Sequence, residues 1–236
     1  MIFSRIERAL QPHWCRIYNH PFNQSLYSGT LSIHAFYDFL KQDKLYLFEF
    51  SRCLNYLGKK INTPLHREIL LHLSCEAEKT HEKLHDKYLS IPSQIKFFSS
   101  NNPVTKSTNE VVAAYIRHLH HTTQTNPTSV AVASLVPCFY IYSTLGLRMQ
   151  QKGIEADNPY RLWIESYSNK EFLSDTQLAI QLLNKISTDE NKAVDPRFII
   201  QSFMKSVSFE IAFWDSVYVN KQFSGSNSYA IFSINP

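Results

Sequence analysis

The stretch VAVASLVPCFYIYSTLGL, residues 130–147, decides the fold of this chain. It carries no charged side chain, although it contains two serines, a threonine, a proline, a cysteine and two tyrosines. Its length just reaches the threshold for a helix that spans a membrane. We interpret it instead as the central helix of an all-helical protein with no membrane partner, buried on every side by amphipathic helices.

The middle of this stretch holds residue types that can take part in catalysis. A proline inside a helix removes a backbone donor and displaces the carbonyl group four residues earlier, so Pro137 predicts a kink. Cys138 follows the proline, and Tyr142 lies one turn later on the same face. A thiol and phenols in an apolar setting indicate a reaction pocket. The alternative is a core cysteine beside core tyrosines, because free cysteine is among the most buried residue types.

Length and composition limit the fold class and the partners. The 236 residues form one large domain or two small ones, and five glycines offer little turn chemistry for a sheet protein. We therefore predict an all-α protein, a helical bundle around the central helix. The net charge of +4 is spread along the chain, with Lys59 and Lys60 as the single adjacent basic pair. Nucleic-acid-binding proteins gather such residues into patches, so we predict no nucleic-acid partner.

Cysteine usage and the N-terminus indicate the compartment. Cys15, Cys53, Cys75 and Cys138 lie far apart and form no C-x-x-C pair, which is typical of a reducing environment. The N-terminal residues MIFSRIERALQPHW are not followed by the apolar block of a signal peptide. We predict a cytoplasmic protein.

Hydrophobic periodicity predicts a series of helices joined by polar loops. Besides the central helix, which opens at residues 126–129, the predicted helices cover about 3–19, 33–57, 65–90, 108–121, 160–167, 172–187 and 195–219. Residues 20–32 and 91–107 are predicted loops, with a turn at Gly29 and helix caps at Ser32 and Thr108. We divide the chain into an all-helical domain, residues 1–220, and a C-terminal tail, residues 221–236, which begins with a flexible segment.

Two acidic residues interrupt apolar surfaces. Asp43 lies in a helical stripe with Leu40 and Leu47, and Glu210 lies in the run SVSFEIAFW. A buried carboxyl group is costly unless it is hydrogen-bonded, and burial raises its pKa toward the range of a proton donor at neutral pH. The alternatives are that Asp43 lies on the surface at the edge of the stripe, and that Glu210 is a buried acid bonded to the backbone or to a tyrosine.

Two histidine patterns raise the question of a metal site. His81-Glu82-Lys83-Leu84-His85 matches the zinc-protease pattern H-E-x-x-H, but lysines surround it as on a solvated helix face. A second cluster comprises His118, His120 and His121, of which the first and last share a face. A metal site needs at least three converging ligands, and we interpret these three as ordinary surface histidines. We predict no metal site.

Four blocks of the chain together resemble the TenA family, known as thiaminase II or aminopyrimidine aminohydrolase. They are HPFNQSLYSGTLSIHAFYDFLKQDKLYLFEF, SLVPCFYIYSTLG, YRLWIESY and FMKSVSFEIAFWD, and they span nearly the whole chain in the family's order. The resemblance implies a haem-oxygenase-like all-α fold for residues 1–220, without a cofactor. It also implies a homotetramer or homodimer that acts on pyrimidines derived from thiamin.

The resemblance assigns roles position by position. It implies that Cys138 is the nucleophile, that Glu210 is the acid and base at the pyrimidine ring, and that Asp43 contacts the substrate and orients the cysteine. The implied substrate-binding residues are Tyr46, Phe50, Tyr115, Tyr142 and Tyr167. The chain departs from the family at Phe50, where tyrosine is usual, and at Tyr140, where tryptophan is common. Both departures bear on the expected substrate preference.

Two alternatives come from other functional classes. One is an oxygenase-like or PqqC-like relative on the same fold that uses haem, a quinone precursor or two metal ions, for which Glu78 and His81 are the candidate ligands. The other is a pyrimidine-binding protein without catalytic activity, since a fold alone does not determine function. Ammonia release and metal content separate these alternatives from the hydrolase.

Overall fold

The computed structural model describes residues 1–89, 108–190 and 193–226, and of the helical residues 80–89 and 219–226 only the backbone is described. These residues contain ten α-helices and no strand. In chain order the helices are α1 (Ile2–Leu10), α2 (Trp14–Tyr18), α3 (Pro21–Tyr27), α4 (Ile33–Lys60), α5 (Pro64–Leu89), α6 (Glu110–Thr125), α7 (Thr128–Lys152), α8 (Arg161–Ser166), α9 (Lys170–Asp189) and α10 (Pro196–Ser226). The predicted fold class, all-α, is confirmed.

Three long helices begin with a side chain that caps the first turn. Ser32, Asn109 and Asn169 each accept a hydrogen bond from the backbone amide three residues later, at 3.1, 2.8 and 2.8 Å. These caps satisfy amide groups that have no partner inside the helix. The cap at Ser32 was predicted. The predicted cap at Thr108 is wrong by one residue, because the Asn109 side chain takes this position.

The N-terminal region differs most from the prediction. The single predicted helix at 3–19 is interrupted by a 3₁₀ turn at Gln11–His13, where Pro12 lacks the amide that a continuous helix needs. The predicted loop at 20–32 contains helix α3, and its turn at Gly29 has a positive φ of 72°. Helix α3 begins with Pro21 at a favourable first position and with the His20 ring, whose Nδ1 accepts from the amide of Phe22 at 3.2 Å.

Helix α7 is the buried centre of the bundle, as predicted. Every residue from Ser129 to Phe139 is buried, and the helix continues unbroken through Pro137. Within the described part of the chain, α7 is the one helix long and apolar enough to cross a membrane, yet 83% of its most apolar window is buried inside the fold. Helices α9 and α10 pack along it and cover most of this surface.

Some predictions fall on parts of the chain that the structure does not describe, or describes only as backbone. The predicted loop at 91–107 and the histidines of the H-E-x-x-H pattern, His81 and His85, lie outside the residues whose side chains are described. Helix α10 extends to Ser226, seven residues beyond its predicted end at 219, and residues 227–236 lie outside the description. The division into a domain at 1–220 and a tail at 221–236 therefore stays a prediction.

Candidate active site

A cavity of about 390 Å³ lies beside the second half of α7. Residues from α4, α5, α7 and α9 and from the segment around α8 line it. Five of the eight predicted site residues are on its wall: Asp43, Phe50, Cys138, Tyr142 and Tyr167. The other three, Tyr46, Tyr115 and Glu210, are not among the described residues that line it. They form a second layer that contacts the wall from behind.

Cys138 places its thiol at the boundary between the cavity and this second layer. The residue is 9% exposed, and burial raises the pKa of its thiol well above the ordinary value. The charges of Glu210 and Asp43 raise it further, whereas the Tyr46 hydroxyl acts in the opposite direction. A thiol in this environment holds its proton at neutral pH, so nucleophilic attack requires a group that takes that proton.

Tyr46 supplies an unsatisfied polar group next to the thiol. Its side chain is 2% exposed, and its hydroxyl makes no hydrogen bond of normal geometry to any described residue. Its ring lies 4.8 Å from that of Tyr115 and 5.6 Å from that of Phe50, between ring centroids. Buried polar groups in proteins almost always have partners. The Tyr46 hydroxyl is therefore a donor available to a thiolate.

Glu210 is a carboxyl group held in its neutral form. Its side chain is 1% exposed, and burial raises its pKa from the ordinary value of 4.5 to about 8. The Tyr115 hydroxyl donates to it at 2.9 Å, and hydrogen bonds from Tyr115 and Tyr142 oppose the effect of burial. Tyr142 thus connects Glu210 to the cavity, because it lines the wall and also contacts the carboxyl group. Glu210 thus combines the predicted raised pKa with the hydrogen bond to a tyrosine that the alternative interpretation expected.

Asp43 is the acidic residue that faces the cavity directly. It is 5% exposed and lines the wall together with Cys138. The alternative in which Asp43 lies on the protein surface is therefore wrong. Its position follows from the helical stripe of α4, because Leu40 and Leu47, which share its face, are also buried.

Aromatic rings form most of the remaining wall. The ring of Tyr142 lies 5.0 Å from that of Tyr167, and the ring of Phe50 lies 5.5 Å from that of Phe139. Tyr167 is positioned by a close backbone approach, since a Cβ atom on Gly146 would lie 3.0 Å from its carbonyl carbon. Aromatic side chains on the wall of a cavity suit a flat aromatic ligand, which can pack against their faces or edges.

The two departures from the family have different consequences. Phe50 lines the cavity, so the lost hydroxyl bears on what the site binds. Tyr140 points away from the cavity: its hydroxyl donates to Glu7 at 3.0 Å, and its ring packs against Phe3 at 4.8 Å. The expectation that Tyr140 influences substrate preference is not supported by this position, because its contacts are with α1.

Sequence reasoning missed the charged residues of the cavity rim. Glu76, Lys79, Glu171 and Asp175 contribute to the lining, and Asp175 accepts from His72 Nε2 at 2.8 Å. Charged residues on amphipathic helices resemble a solvated surface, so periodicity carries no signal for this location. Phe139 and Phe172 were also missed, because apolar residues on the wall of a cavity have the same sequence pattern as core residues.

The histidine cluster of α6 has a structural role. His118 and His120 are half-buried, and their Nε2 atoms contact Ser206 Oγ at 3.2 Å and Glu49 Oε2 at 2.7 Å. His121 is exposed, as predicted, whereas His118 and His120 are only partly exposed and link α6 to α10 and α4. Burial lowers the pKa of His118 to about 4.

The donor groups of the described side chains do not form a metal or haem site, and His81, the candidate ligand of the oxygenase alternative, lies outside them. The described residues contain no group of three His, Cys, Asp or Glu side chains arranged for a metal ion. No histidine is among the described residues that line the cavity, so an oxygenase would have no imidazole ligand from that part of the chain.

Comparison with known proteins agrees with the fold. The chain is 27% identical over 223 residues to aminopyrimidine aminohydrolase of Halalkalibacterium halodurans, covering 91% of this chain and 94% of the relative. A TenA homologue from P. horikoshii superposes with a TM-score of 0.75 at 24% identity, covering 93% of this chain and 99% of that one. A domain with a heme oxygenase-like fold from Shewanella denitrificans superposes with a TM-score of 0.65 at 13% identity, covering 98% of both chains. The sequence matches the TENA/THI-4/PQQC family over residues 7–220, and the chain belongs to that family.

Proposed function

We propose that this protein is a hydrolase of the thiaminase II type. Its substrate is an aminopyrimidine such as 4-amino-5-aminomethyl-2-methylpyrimidine, which it converts to the hydroxymethylpyrimidine with release of ammonia, and it cleaves thiamin more slowly. The observation that carries the proposal is the cavity in which Cys138 and Asp43 face a space walled by aromatic rings, with the neutral Glu210 carboxyl group directly behind Tyr142. The similarity to a relative named aminopyrimidine aminohydrolase supports it.

The first step activates an aromatic ring that does not react readily. Glu210 donates its proton to a ring nitrogen, directly or through the Tyr142 hydroxyl, and this makes the ring electrophilic. The sulfur of Cys138 attacks a ring carbon and forms a C–S bond, while Asp43 takes the thiol proton. The electrons of one ring double bond move to the protonated nitrogen, so the ring is no longer aromatic.

The second step exchanges the leaving group for water. The electron pair of the dearomatised ring expels the amine from the exocyclic methylene, and the amine leaves as ammonia after taking a proton from Asp43. Water adds to the methylene carbon and forms the new C–O bond. The C–S bond then breaks, the ring regains its aromaticity, and the thiol and Glu210 regain their protons. The balance is one water consumed for each ammonia released.

The protonation of Glu210 also helps the nucleophile. A charged carboxylate at this position raises the pKa of the Cys138 thiol, whereas a neutral carboxyl group does not. Because burial keeps Glu210 protonated up to a pH of about 8, the thiol faces a single nearby carboxylate charge, that of Asp43, at neutral pH. The hydroxyl of Tyr46 then supplies a hydrogen bond to the developing thiolate.

We further propose that the enzyme works in the cytoplasm as a homotetramer or homodimer and serves thiamin salvage. All four cysteines are free thiols, which supports a reducing compartment. Gel filtration with light scattering measures the assembly, and a monomer would contradict this part of the proposal.

Ammonia release from a panel of aminopyrimidines, with thiamin included, tests the reaction. We expect turnover of the aminomethylpyrimidine by the wild type and a loss of at least about 10³-fold in Cys138→Ser, because a hydroxyl is a far weaker nucleophile than a thiol. Cys53→Ser is the matched control, since Cys53 is also buried, in α4, but is not among the described residues that line the cavity. Wild-type turnover in Cys138→Ser would overturn the mechanism, and tight pyrimidine binding without any turnover would favour the binding-protein alternative.

A further inference from the structure

The hydroxyl of Tyr142 lies between the proposed acid and a buried indole. Trp214 Nε1 donates a hydrogen bond to the Tyr142 oxygen at 3.2 Å. The Glu210 carboxyl group lies near the same hydroxyl, which lowers the pKa of that carboxyl group and so opposes the effect of burial, and Tyr142 also lines the cavity. Trp214 has no exposed surface and is not among the described residues that line the cavity, so it acts on the site only through Tyr142.

The chemistry of the indole determines the direction of this hydrogen bond. An indole N–H is a donor and never an acceptor, whereas a phenol has one proton to donate and lone pairs that accept. The Tyr142 oxygen therefore accepts from Trp214, and its own proton cannot point toward the indole. That proton can therefore point toward the Glu210 carboxyl group, whose charged form it stabilises, or toward a ligand in the cavity.

We propose that Trp214 is a positioning residue which, by donating to Tyr142, fixes the phenol proton of Tyr142 toward Glu210 and the cavity. The catalytic meaning of this arrangement rests on the proposed function, but the orientation itself does not. Tyr142 is then a preset donor that stabilises the charged form of Glu210 after it has given up its proton. Without the indole N–H, the phenol proton is free to rotate among several directions.

Trp214 is itself held in place by neighbouring polar residues. The ring of His20 packs against the indole with 5.4 Å between centroids. Because Nδ1 of His20 accepts from the Phe22 amide, its proton lies on Nε2, which donates to Asp215 at 3.1 Å. His20, at the start of α3, thus packs against the face of α10 that carries Trp214. This contact leaves the indole little freedom to turn away from Tyr142.

The orientation of Tyr142 has a measurable consequence for Glu210. Hydrogen bonds from Tyr142 and Tyr115 stabilise the carboxylate and oppose the effect of burial on its pKa. The ionisable groups that face Glu210 come from α4, α6, α7 and the end of α8: Asp43, Tyr46, Tyr115, Cys138, Tyr142 and Tyr167. Removal of one oriented donor, with the other groups unchanged, is expected to raise the pH at which Glu210 ionises.

Trp214→Phe tests the proposal, because it keeps an aromatic ring and removes the N–H. The Glu210 carboxyl group is titrated by carbon NMR with ¹³C-labelled glutamate, assigned by its absence in Glu210→Gln. We expect the midpoint to move upward by about 0.5–1 pH unit, which is less than the full value of one hydrogen bond to a charged group, because the Tyr142 donor loses its fixed orientation but is not removed. A midpoint that does not move would overturn the proposal. This measurement needs no substrate, so it gives an answer even if the protein does not hydrolyse aminopyrimidines.

A double-mutant cycle separates positioning from packing. In a Tyr142→Phe background the hydroxyl is absent, and Trp214→Phe is then expected to leave the Glu210 midpoint unchanged. An equal shift with and without the Tyr142 hydroxyl would show that Trp214 acts only through packing and would overturn the proposal. If Trp214→Phe does not fold, benzothienylalanine at position 214 preserves the shape of indole without the N–H. We expect it to raise the Glu210 midpoint in the same way, and to leave the midpoint unchanged in the Tyr142→Phe background.

Discussion

The two halves of helix α7 perform different tasks. From Ser129 to Val136 the helix is fully buried, and a serine in this half satisfies its hydroxyl locally: Ser134 donates to the carbonyl of Ala131 at 2.7 Å. From Pro137 onward, Cys138 and Tyr142 reach the cavity and meet polar groups from other helices. Polar side chains in an apolar helix can therefore contribute to a reactive site where their partners come from other helices of the fold.

The first half is an anchor that neighbouring helices hold in position. The Ser202 hydroxyl of α10 donates to the carbonyl of Val130 at 2.8 Å, and Glu190 accepts from the amide of Ser129 at 3.0 Å. The Glu190 bond satisfies a backbone amide in the first turn of α7 that has no partner inside the helix, and the Ser202 bond ties α10 to the same turn. The second half can therefore present reactive side chains to a cavity without loosening the helix that carries them.

Among the variants that affect the second half of α7, Glu210→Gln is expected to give the largest effect, because Glu210 lies on α10 behind Tyr142. The amide cannot donate the proton that the mechanism requires, so kcat falls by about 10²–10⁴-fold. In the wild type, activity is expected to decline above a pH of about 8 as Glu210 loses its proton. A pH–rate profile measures both, and a variant with the wild-type rate would remove Glu210 from the mechanism.

The same substitution has a stability effect of known sign. The pKa of Glu210 is about 8 in the folded protein and close to 4.5 when the chain unfolds. Between these values the unfolded chain releases a proton that the folded protein keeps, so the free energy of unfolding falls as the pH rises. In Glu210→Gln this decline is expected to be smaller by roughly 2–4 kcal/mol between pH 5 and pH 8. Urea unfolding at several pH values measures it, and an unchanged decline would contradict the raised pKa.

A smaller effect is expected where α7 approaches α8. In Gly146→Ala the new methyl group lies 3.0–3.2 Å from backbone atoms of Tyr167 and Ser168, which must move. We expect a loss of about 1–3 kcal/mol in the free energy of unfolding. A shift of Tyr167 in the cavity wall should also reduce kcat/KM by about tenfold.

Gly58→Ala is the matched control for this contact. Its new methyl group also meets an atom at 3.0 Å, but that atom is Cδ2 of the flexible Leu71 side chain, far from the cavity. We expect wild-type kcat/KM and a stability change of less than about 1 kcal/mol, since alanine also favours the helix. Equal losses of activity in the two variants would show that the approach to Tyr167 has no special role.

The smallest effect on activity is expected in the first half of α7. Leu135→Ala removes a side chain that is 1% exposed and leaves a void, which should lower the free energy of unfolding by about 2–5 kcal/mol. Because this half makes no contact with the cavity, we expect kcat to stay within about twofold of the wild type. A large loss of kcat in the folded variant would contradict the separation of the two halves.

Sequence patterns predicted most helices because apolar periodicity and capping residues are local signals. They failed at α3, where a histidine side chain takes the capping position. They also failed for the rim residues such as Asp175, which have the pattern of a solvated helix face. The His20 cap is local but uses a residue type outside the usual capping set, whereas the contact between His72 and Asp175 joins residues far apart in the chain.

The sequence by itself determined that this chain is a helical bundle around a buried apolar helix, since periodicity and composition control which faces are buried. It also identified the residue types at the site, because a thiol and two carboxyl groups inside apolar runs are conspicuous. Only the tertiary structure decided that Cys138 and Asp43 share a cavity while Glu210 lies behind Tyr142. The physical reason is that the distances and the burial that set these pKa values arise from the packing of separate helices, which no local pattern encodes.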